Sequence, residues 1–301
     1  MKPHRLLLKE TKGPQRVAIV YRIHTEKAVK AAKEATKWLT DHGYEVYTAP
    51  EQKRLVGTTL MKTAKDFQKI SLVVVFGGDG TYLRAVRLMQ VHQVPILGFN
   101  MGTLGYLAHH RADQSKWVLD TLEKTLAHEM CVQNRSRLQI RVFLKGKKKP
   151  FVFTALNDVV LERGSNSQLI HVSIQLNQSR VHDVKADGFI ISTPTGSTAY
   201  NLAAGGPILD PEAPAFVITP VAPHSLTHRP LVVPENKSIR LQIESLKIRA
   251  HLVVDGQKVL DLKSGDELIV EKADIDHQLV IAKNHNDYHL LRQKLLFGHR
   301  S

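Results

Sequence analysis

The run Leu72-Val73-Val74-Val75-Phe76-Gly77-Gly78-Asp79-Gly80-Thr81 decides how the rest of the chain reads. Five apolar residues in a row mark a buried strand, and the Tyr82–Met89 stretch behind the glycines has helical periodicity. A buried strand that turns through glycines into a helix leaves several backbone N–H groups unpaired and roughly parallel, which suits phosphate. Asp79 is the unexpected member. A carboxylate beside phosphates is repulsive unless it holds a metal or removes a proton, so it points to phosphoryl transfer. The competing reading is a tight turn in which Asp79 caps the next helix.

On the N-terminal side, Arg16–Tyr21 reads as a first buried strand, Lys27–His42 as an amphipathic helix stopped by Gly43, and Tyr44–Tyr47 as a second strand. The mixed segment from Glu51 to Lys69 admits a helix near Thr59 to Phe67. On the C-terminal side, helix Thr81–Gln90 and strand Val94–Leu97 continue the alternation, which predicts a parallel sheet covered by helices on both faces. After a helix from about Asp113 to His128 the pattern changes to short alternating segments. Leu138–Leu144 and Phe151–Leu156 flank a lysine-rich turn as a hairpin, and further strands are expected from Val159 to Val270.

The fold class is therefore α/β: an N-terminal doubly wound parallel-sheet domain, a mostly β C-terminal domain, and a closing helix, Tyr288–Phe297, returning to the first. The expected divisions are a polar leader at 1–15, the α/β domain at 16–130, the β-rich domain at 131–280 and the returning segment at 281–301.

Bulk composition limits the function classes. With 301 residues the chain is long enough for about two domains. Its net charge of +14 favours an anionic partner, but no stripe of Arg and Lys with interleaved aromatics supports a nucleic-acid binder. Cys131 is the only cysteine, which excludes an intrachain disulfide and a multi-cysteine zinc site and fits a cytoplasmic protein. No apolar run approaches the roughly 20 residues of a membrane span, and the N-terminus lacks a signal-peptide core.

Three other clusters are polar or glycine-rich where a purely structural chain has little use for them. Asn100 to Leu107 stands at the carboxyl end of a predicted strand, where open parallel sheets bind ligands. Asn157-Asp158 offers an amide and a carboxylate side by side, enough for a ribose diol or an adenine edge, although any β-turn also favours the pair. Asp187-Gly188 leads into Ser192-Thr193-Pro194-Thr195-Gly196-Ser197-Thr198-Ala199-Tyr200, a run of hydroxyls suited to sugars, in which Ser197 or Thr198 could equally cap a helix. The glycines match neither the dinucleotide fingerprint nor a P-loop, and the pairs His224/His228 and His285/His289 lack a third metal ligand.

Together with Gly205-Gly206-Pro207-Ile208, His228-Arg229-Pro230-Leu231 and Asp255-Gly256-Gln257, these motifs closely resemble the NAD kinase family, in family order from about residue 16 to about 298. The glycine-Asp-glycine loop alone is shared with lipid kinases and phosphofructokinases. A lipid or sphingoid-base kinase is thus the alternative, though it has no need of the Asn157-Asp158 and Thr198-Ala199-Tyr200 groups.

The resemblance implies transfer of the terminal phosphoryl group of ATP, or of polyphosphate in some members, to the 2′-hydroxyl of the adenosine ribose of NAD. It implies Mg²⁺ with ATP, no metal ligand assigned in the protein, and a homodimer or homotetramer whose β domain helps build a site shared between subunits. Asp79 would be the base or orienter of the hydroxyl, with Gly77, Gly78, Gly80 and Thr81 facing the donor phosphates and Gly80 also near the acceptor. Asn157 and Asp158 would hold the adenine and ribose side, and Thr198 and Tyr200 would line the adenosine part. Asp187 and Ala199 would approach the nicotinamide end from a neighbouring subunit. Tyr106 stands where the family usually has Phe, as an adenine wall with an added hydroxyl. Lys185, at a position that varies in the family, bears on the choice between NAD and NADH.

Overall fold

The computed structural model describes residues 3–9, 13–90, 92–102, 104–164, 168–225, 227–245 and 250–295. The chain divides into two compact units, Met1–Asn134 with His277–Ser301, and Arg135–Asp276.

The first unit is built on a sheet with nine strands among the described residues. Its order is His4–Arg5, Cys131–Arg135, His277–Ile281, Ile96–Asn100, Leu72–Gly77, Arg16–Tyr21, Glu45–Thr48, Thr59–Leu60, with His110–Arg111 also paired to Ile96–Asn100. Leu72–Gly77 lies between parallel neighbours on both sides and is buried at every position. Two covered faces explain why it reads as one uninterrupted apolar run. Helix Glu26–Asp41 buries Ala28, Ala31, Ala32, Ala35 and Leu39, a stripe of mostly small residues that lets the helix lie close to the strands. The strand order reverses next to Arg16–Tyr21, so the loop leaving Leu72–Gly77 emerges at a topological switch point, where sheets of this kind bind ligands.

Four expectations are corrected. The supposed leader contributes strand His4–Arg5, which pairs with Val132 and Cys131, while Leu6 and Leu8 are buried. Thr59–Leu60 is an edge strand, and the helix expected there is confined to Ala64–Gln68. The helix after the glycine loop begins at Asp79, not Thr81, because Gly78 takes the extended N-cap conformation. A strand, His277–Ile281, returns to the first unit ahead of the closing helix, which is described over Asp287–Leu295; the expected end at Phe297 lies outside the described residues.

The second unit is a sandwich of two antiparallel six-stranded sheets, counted among the described residues. One runs Phe151–Ala155, Leu138–Phe143, Glu267–Lys272, Ile239–Ser245, Ile170–Leu176, Ser179–Ala186; the other Leu231–Pro234, Ala215–Val221, Gly188–Ser192, Asp158–Arg163, Ala250–Val254, Gln257–Leu262. Ile140, Val142, Val172 and Leu241 of the first sheet share a core with Val159, Leu161, Phe189, Ile191 and Leu252 of the second. Alternation along each strand puts these residues inward. In the second sheet Asp158 faces Ser192, and Val159 faces both Ile191 and Val254. The register therefore gathers the start of one strand and the ends of its two neighbours at one edge of the sandwich.

Candidate active site

In the first unit the candidate site is built around Asp79. Gly78 accepts from the Thr81 and Tyr82 amides at 3.0 Å each, which starts the helix and leaves the Asp79 and Gly80 amides without an intrahelical acceptor. Asp79 is not the N-cap, so the capping alternative does not hold. Its carboxylate reaches across to three consecutive amides of the next loop: Oδ2 accepts from Tyr106 (2.9 Å), and Oδ1 from Leu107 (3.0 Å) and Ala108 (3.1 Å). The glycines play different parts. A Cβ on Gly77 would stand 2.6 Å from Thr81 Cβ, whereas Gly78 and Gly80 face open space, so Gly77 serves packing and the other two leave room for a ligand.

The loop that holds Asp79 is itself anchored. Asn100, buried at the end of its strand, accepts from Gly102 N (2.7 Å) and donates to Ala108 O (3.0 Å), bridging the two ends of the segment. Tyr106 differs from the expected adenine wall in one respect: Lys294 of the closing helix lies over its ring, 4.3 Å from the centroid, so one face is already covered. Its hydroxyl is buried without a hydrogen-bond partner among the described residues, and burial, then the nearby Asp79 charge, raises its pKa. A cavity of about 510 Å³ opens beside this loop, lined by Asn100, Gly102 and Leu104 together with Lys27, Arg111 and Gln293. Sequence reasoning missed Lys27 and Arg111, because nothing local distinguishes them from other surface cations.

In the second unit Asn157 and Asp158 open the Asp158–Arg163 strand at the gathered edge. Their side chains make no hydrogen bond to any other described residue, while their backbone is bonded throughout. Burial, reinforced by the neighbouring Asp255 carboxylate, pushes the Asp158 carboxyl up to about 7.

The hydroxyl run divides into two parts. Thr193 Oγ1 donates to Leu156 O (2.6 Å), and Ser197 Oγ donates to Pro194 O (2.6 Å) and accepts from Leu209 N (3.0 Å). Both are buried and fold the segment Thr195–Thr198 into a 3₁₀ turn. These hydroxyls build structure, so the expectation that the whole run meets sugar is too broad. Beyond them Thr198 and Ala199 are partly open and Tyr200 is exposed. Asp187 pairs with Arg163 (Nε to Oδ1, 2.7 Å), a partner that sequence reading did not find, and Lys185 is exposed on strand Ser179–Ala186 opposite His171.

Among the described residues no three His, Cys, Asp or Glu side chains form a metal cluster. Mg²⁺ does not require one, since it is commonly held by one or two carboxylates and the phosphates of its substrate. No described helix is long and apolar enough to cross a membrane.

Residues 17–128 match the ATP-NAD kinase N-terminal domain and residues 156–282 the ATP-NAD kinase C-terminal domain. An NAD kinase of Bdellovibrio bacteriovorus is 50% identical over 300 residues, covering 100% of this chain and 97% of that protein. An NAD kinase of Carboxydothermus hydrogenoformans is 42% identical over 233 residues, 77% of this chain and 82% of its own length. Among solved structures, yeast NADH kinase complexed with NADH superposes with a TM-score of 0.88 at 28% identity, covering 96% of this chain and 89% of the other. An NAD kinase from Archaeoglobus fulgidus in complex with ATP gives 0.72 at 28% identity, covering 94% and 99%. Sequence match over both halves, close relatives over the whole length and a shared fold lead to one conclusion: the chain belongs to the ATP-NAD kinase family of phosphotransferases.

Proposed function

We propose that the protein transfers the terminal phosphoryl group of ATP to the 2′-hydroxyl of the adenosine ribose of NAD, giving NADP, and that Asp79 orients that hydroxyl and takes its proton. The supporting observation is the state of the Asp79 carboxylate. It is fixed by three amides, yet a carboxylate has about four acceptor positions, so one stays open on Oδ2, which receives only the Tyr106 amide. A hydroxyl donating there would be aimed by a carboxylate that no longer rotates. As its oxygen bonds to the terminal phosphorus, the bond to the bridging oxygen of the donor breaks and the hydroxyl proton passes to Asp79.

In the same reading Gly78, Gly80 and Thr81 meet the donor phosphates, and Asn157 and Asp158 hold the adenine and ribose of NAD through side chains that nothing else in the described structure uses. The free face of Tyr106 takes the adenine ring, and Thr198 and Tyr200 line the adenosine. Asp187 and Ala199, with Lys185 nearby, address the nicotinamide end from a neighbouring subunit. A divalent cation, Mg²⁺ in this reading, accompanies the donor and neutralises charge on its phosphates. A homodimer or homotetramer, on family resemblance, and a cytoplasmic setting, on the single cysteine, complete the proposal.

The deciding experiment is NADP formation by the purified protein with ATP or polyphosphate as donor and NAD or NADH as acceptor, each with and without Mg²⁺. Product with ATP and NAD is expected. No phosphorylated dinucleotide in any combination would overturn the reading.

A further inference from the structure

Asp255 begins the turn after strand Ala250–Val254, buried and with a left-handed backbone (φ 45°). Its carboxylate accepts from three consecutive amides: Leu156 N on Oδ2 (2.9 Å), and Asn157 N (2.8 Å) and Asp158 N (3.3 Å) on Oδ1. Its own N–H donates to Asp158 O (3.0 Å). The turn is also gripped from the opposite side. Thr193 donates from its hydroxyl to Leu156 O (2.6 Å) and from its amide to Asn157 O (2.9 Å). A Cβ on Gly196 would stand 2.6 Å from Asn157 Cα and nearer still to its carbonyl.

Every backbone donor and acceptor of Leu156, Asn157 and Asp158 thus has a partner, while the Asn157 and Asp158 side chains have none among the described residues. A turn serving only the fold would have no reason to keep a half-buried amide and a buried carboxyl uncommitted, since such groups are normally paired. A turn serving recognition would show this division, with a fixed backbone carrying unspent side chains.

We propose that Asp255 is a positioning residue for the phosphoryl acceptor: its carboxylate, working against Thr193 and Gly196, sets the rotation at which Asn157 and Asp158 meet the adenine and ribose of NAD. This rests on the reading above that Asn157 and Asp158 bind NAD. Asp255 touches only the backbone of the residues that would do so.

The test is Asp255→Asn, which replaces one acceptor oxygen by an NH₂ group opposed to a backbone N–H, with Gly196→Ala as a second variant pressing on the same turn from the other side. Titration calorimetry should show the dissociation constant for NAD rising by about 10- to 100-fold in each, the cost of losing one or two hydrogen bonds between NAD and the misaimed Asn157 and Asp158 side chains. KM for NAD should rise with it, KM for ATP should stay as in the wild type, and kcat should change less than KM for NAD. A residue that only maintained the fold would lower the active fraction without moving the NAD constant of the molecules that remain folded, and that outcome would overturn the proposal. If Asn157→Ala weakens NAD binding but Asp255→Asn does not, the positioning role alone fails. If wild-type protein forms NADP and Asn157→Ala binds NAD normally, the assignment of that turn fails and the proposal with it.

Discussion

Gly105 and Asp79 are in such close approach that a Cβ on the glycine would stand 2.8 Å from the carboxyl carbon and closer to Oδ1. The absence of a side chain at 105 is what lets the carboxylate reach three amides of the neighbouring loop. Gly105→Ala must push either the carboxylate or the loop aside. A displacement of about 1 Å is enough to cost on the order of 10²-fold in rate. NADP formation should therefore fall by that order, while circular dichroism shows a folded protein.

Asp79→Asn tests the chemistry more directly. The amide keeps the size of the side chain but loses the ability to take a proton and turns one acceptor into a donor. Turnover is expected to fall by roughly 10²–10⁴-fold, the usual size of a general-base contribution, while circular dichroism shows a folded protein whose unfolding midpoint is lowered by the weakened bonds to the Tyr106, Leu107 and Ala108 amides. Near-normal NADP formation would remove Asp79 from the reaction.

His110 governs part of the acid limb of stability. Removal of the ring from water lowers its pKa from 6.5 to about 4; the hydrogen bond to Val280 O opposes the shift and nearby His285 adds slightly to it. A folded-state value below the unfolded one means that the neutral ring favours the native state. That contribution is present above about pH 6.5 and is lost as pH falls toward 4, amounting to about 3 kcal/mol at most. His110→Gln should flatten the fall in unfolding free energy between pH 6.5 and pH 4, measured by urea titration; an unchanged slope would refute this.

Asp158 acts in the opposite sense. Its pKa is raised from 3.8 to about 7 by burial and then by Asp255, so the native state prefers the protonated carboxyl. The favourable state is present below about pH 4 and is lost as pH rises through 7, a change of a few kcal/mol at most. Asp158→Asn, uncharged throughout, should gain stability over the wild type at pH 8 compared with pH 5. If differential scanning calorimetry shows the same difference between the two proteins at both values, the carboxyl does not titrate as described.

The parts of the fold that were legible in the sequence share one property: their environment is uniform. Leu72–Gly77 is covered on both faces, so its burial appears directly as an apolar run, and helix Glu26–Asp41 declares its buried stripe through alanines at helical spacing. Strand His4–Arg5 was not legible because two residues are too short for a period and its partner lies near residue 131. The same limit applies to the site. Asp79 and Asn157 could be singled out as polar groups in unusual company. What holds them could not, since Asp255 bonds to residues 97 to 99 positions away and the Gly105 requirement arises from a side chain 26 positions earlier. Local sequence names a reactive group more readily than the amides and glycines that aim it.

Strand His277–Ile281 occupies an interior place in the first unit's sheet, between Cys131–Arg135 and Ile96–Asn100, although it is the last strand in sequence among the described residues. On the ribosome this reverses the convenient order of assembly. Residues 16 to 100 emerge early, but the neighbour that belongs beside Ile96 is not made until the whole Arg135–Asp276 unit has been translated. At about 5–20 residues per second that interval lasts on the order of ten seconds or more. Throughout it the nascent layer presents an unpaired strand edge, the kind of surface through which neighbouring chains on one message can join.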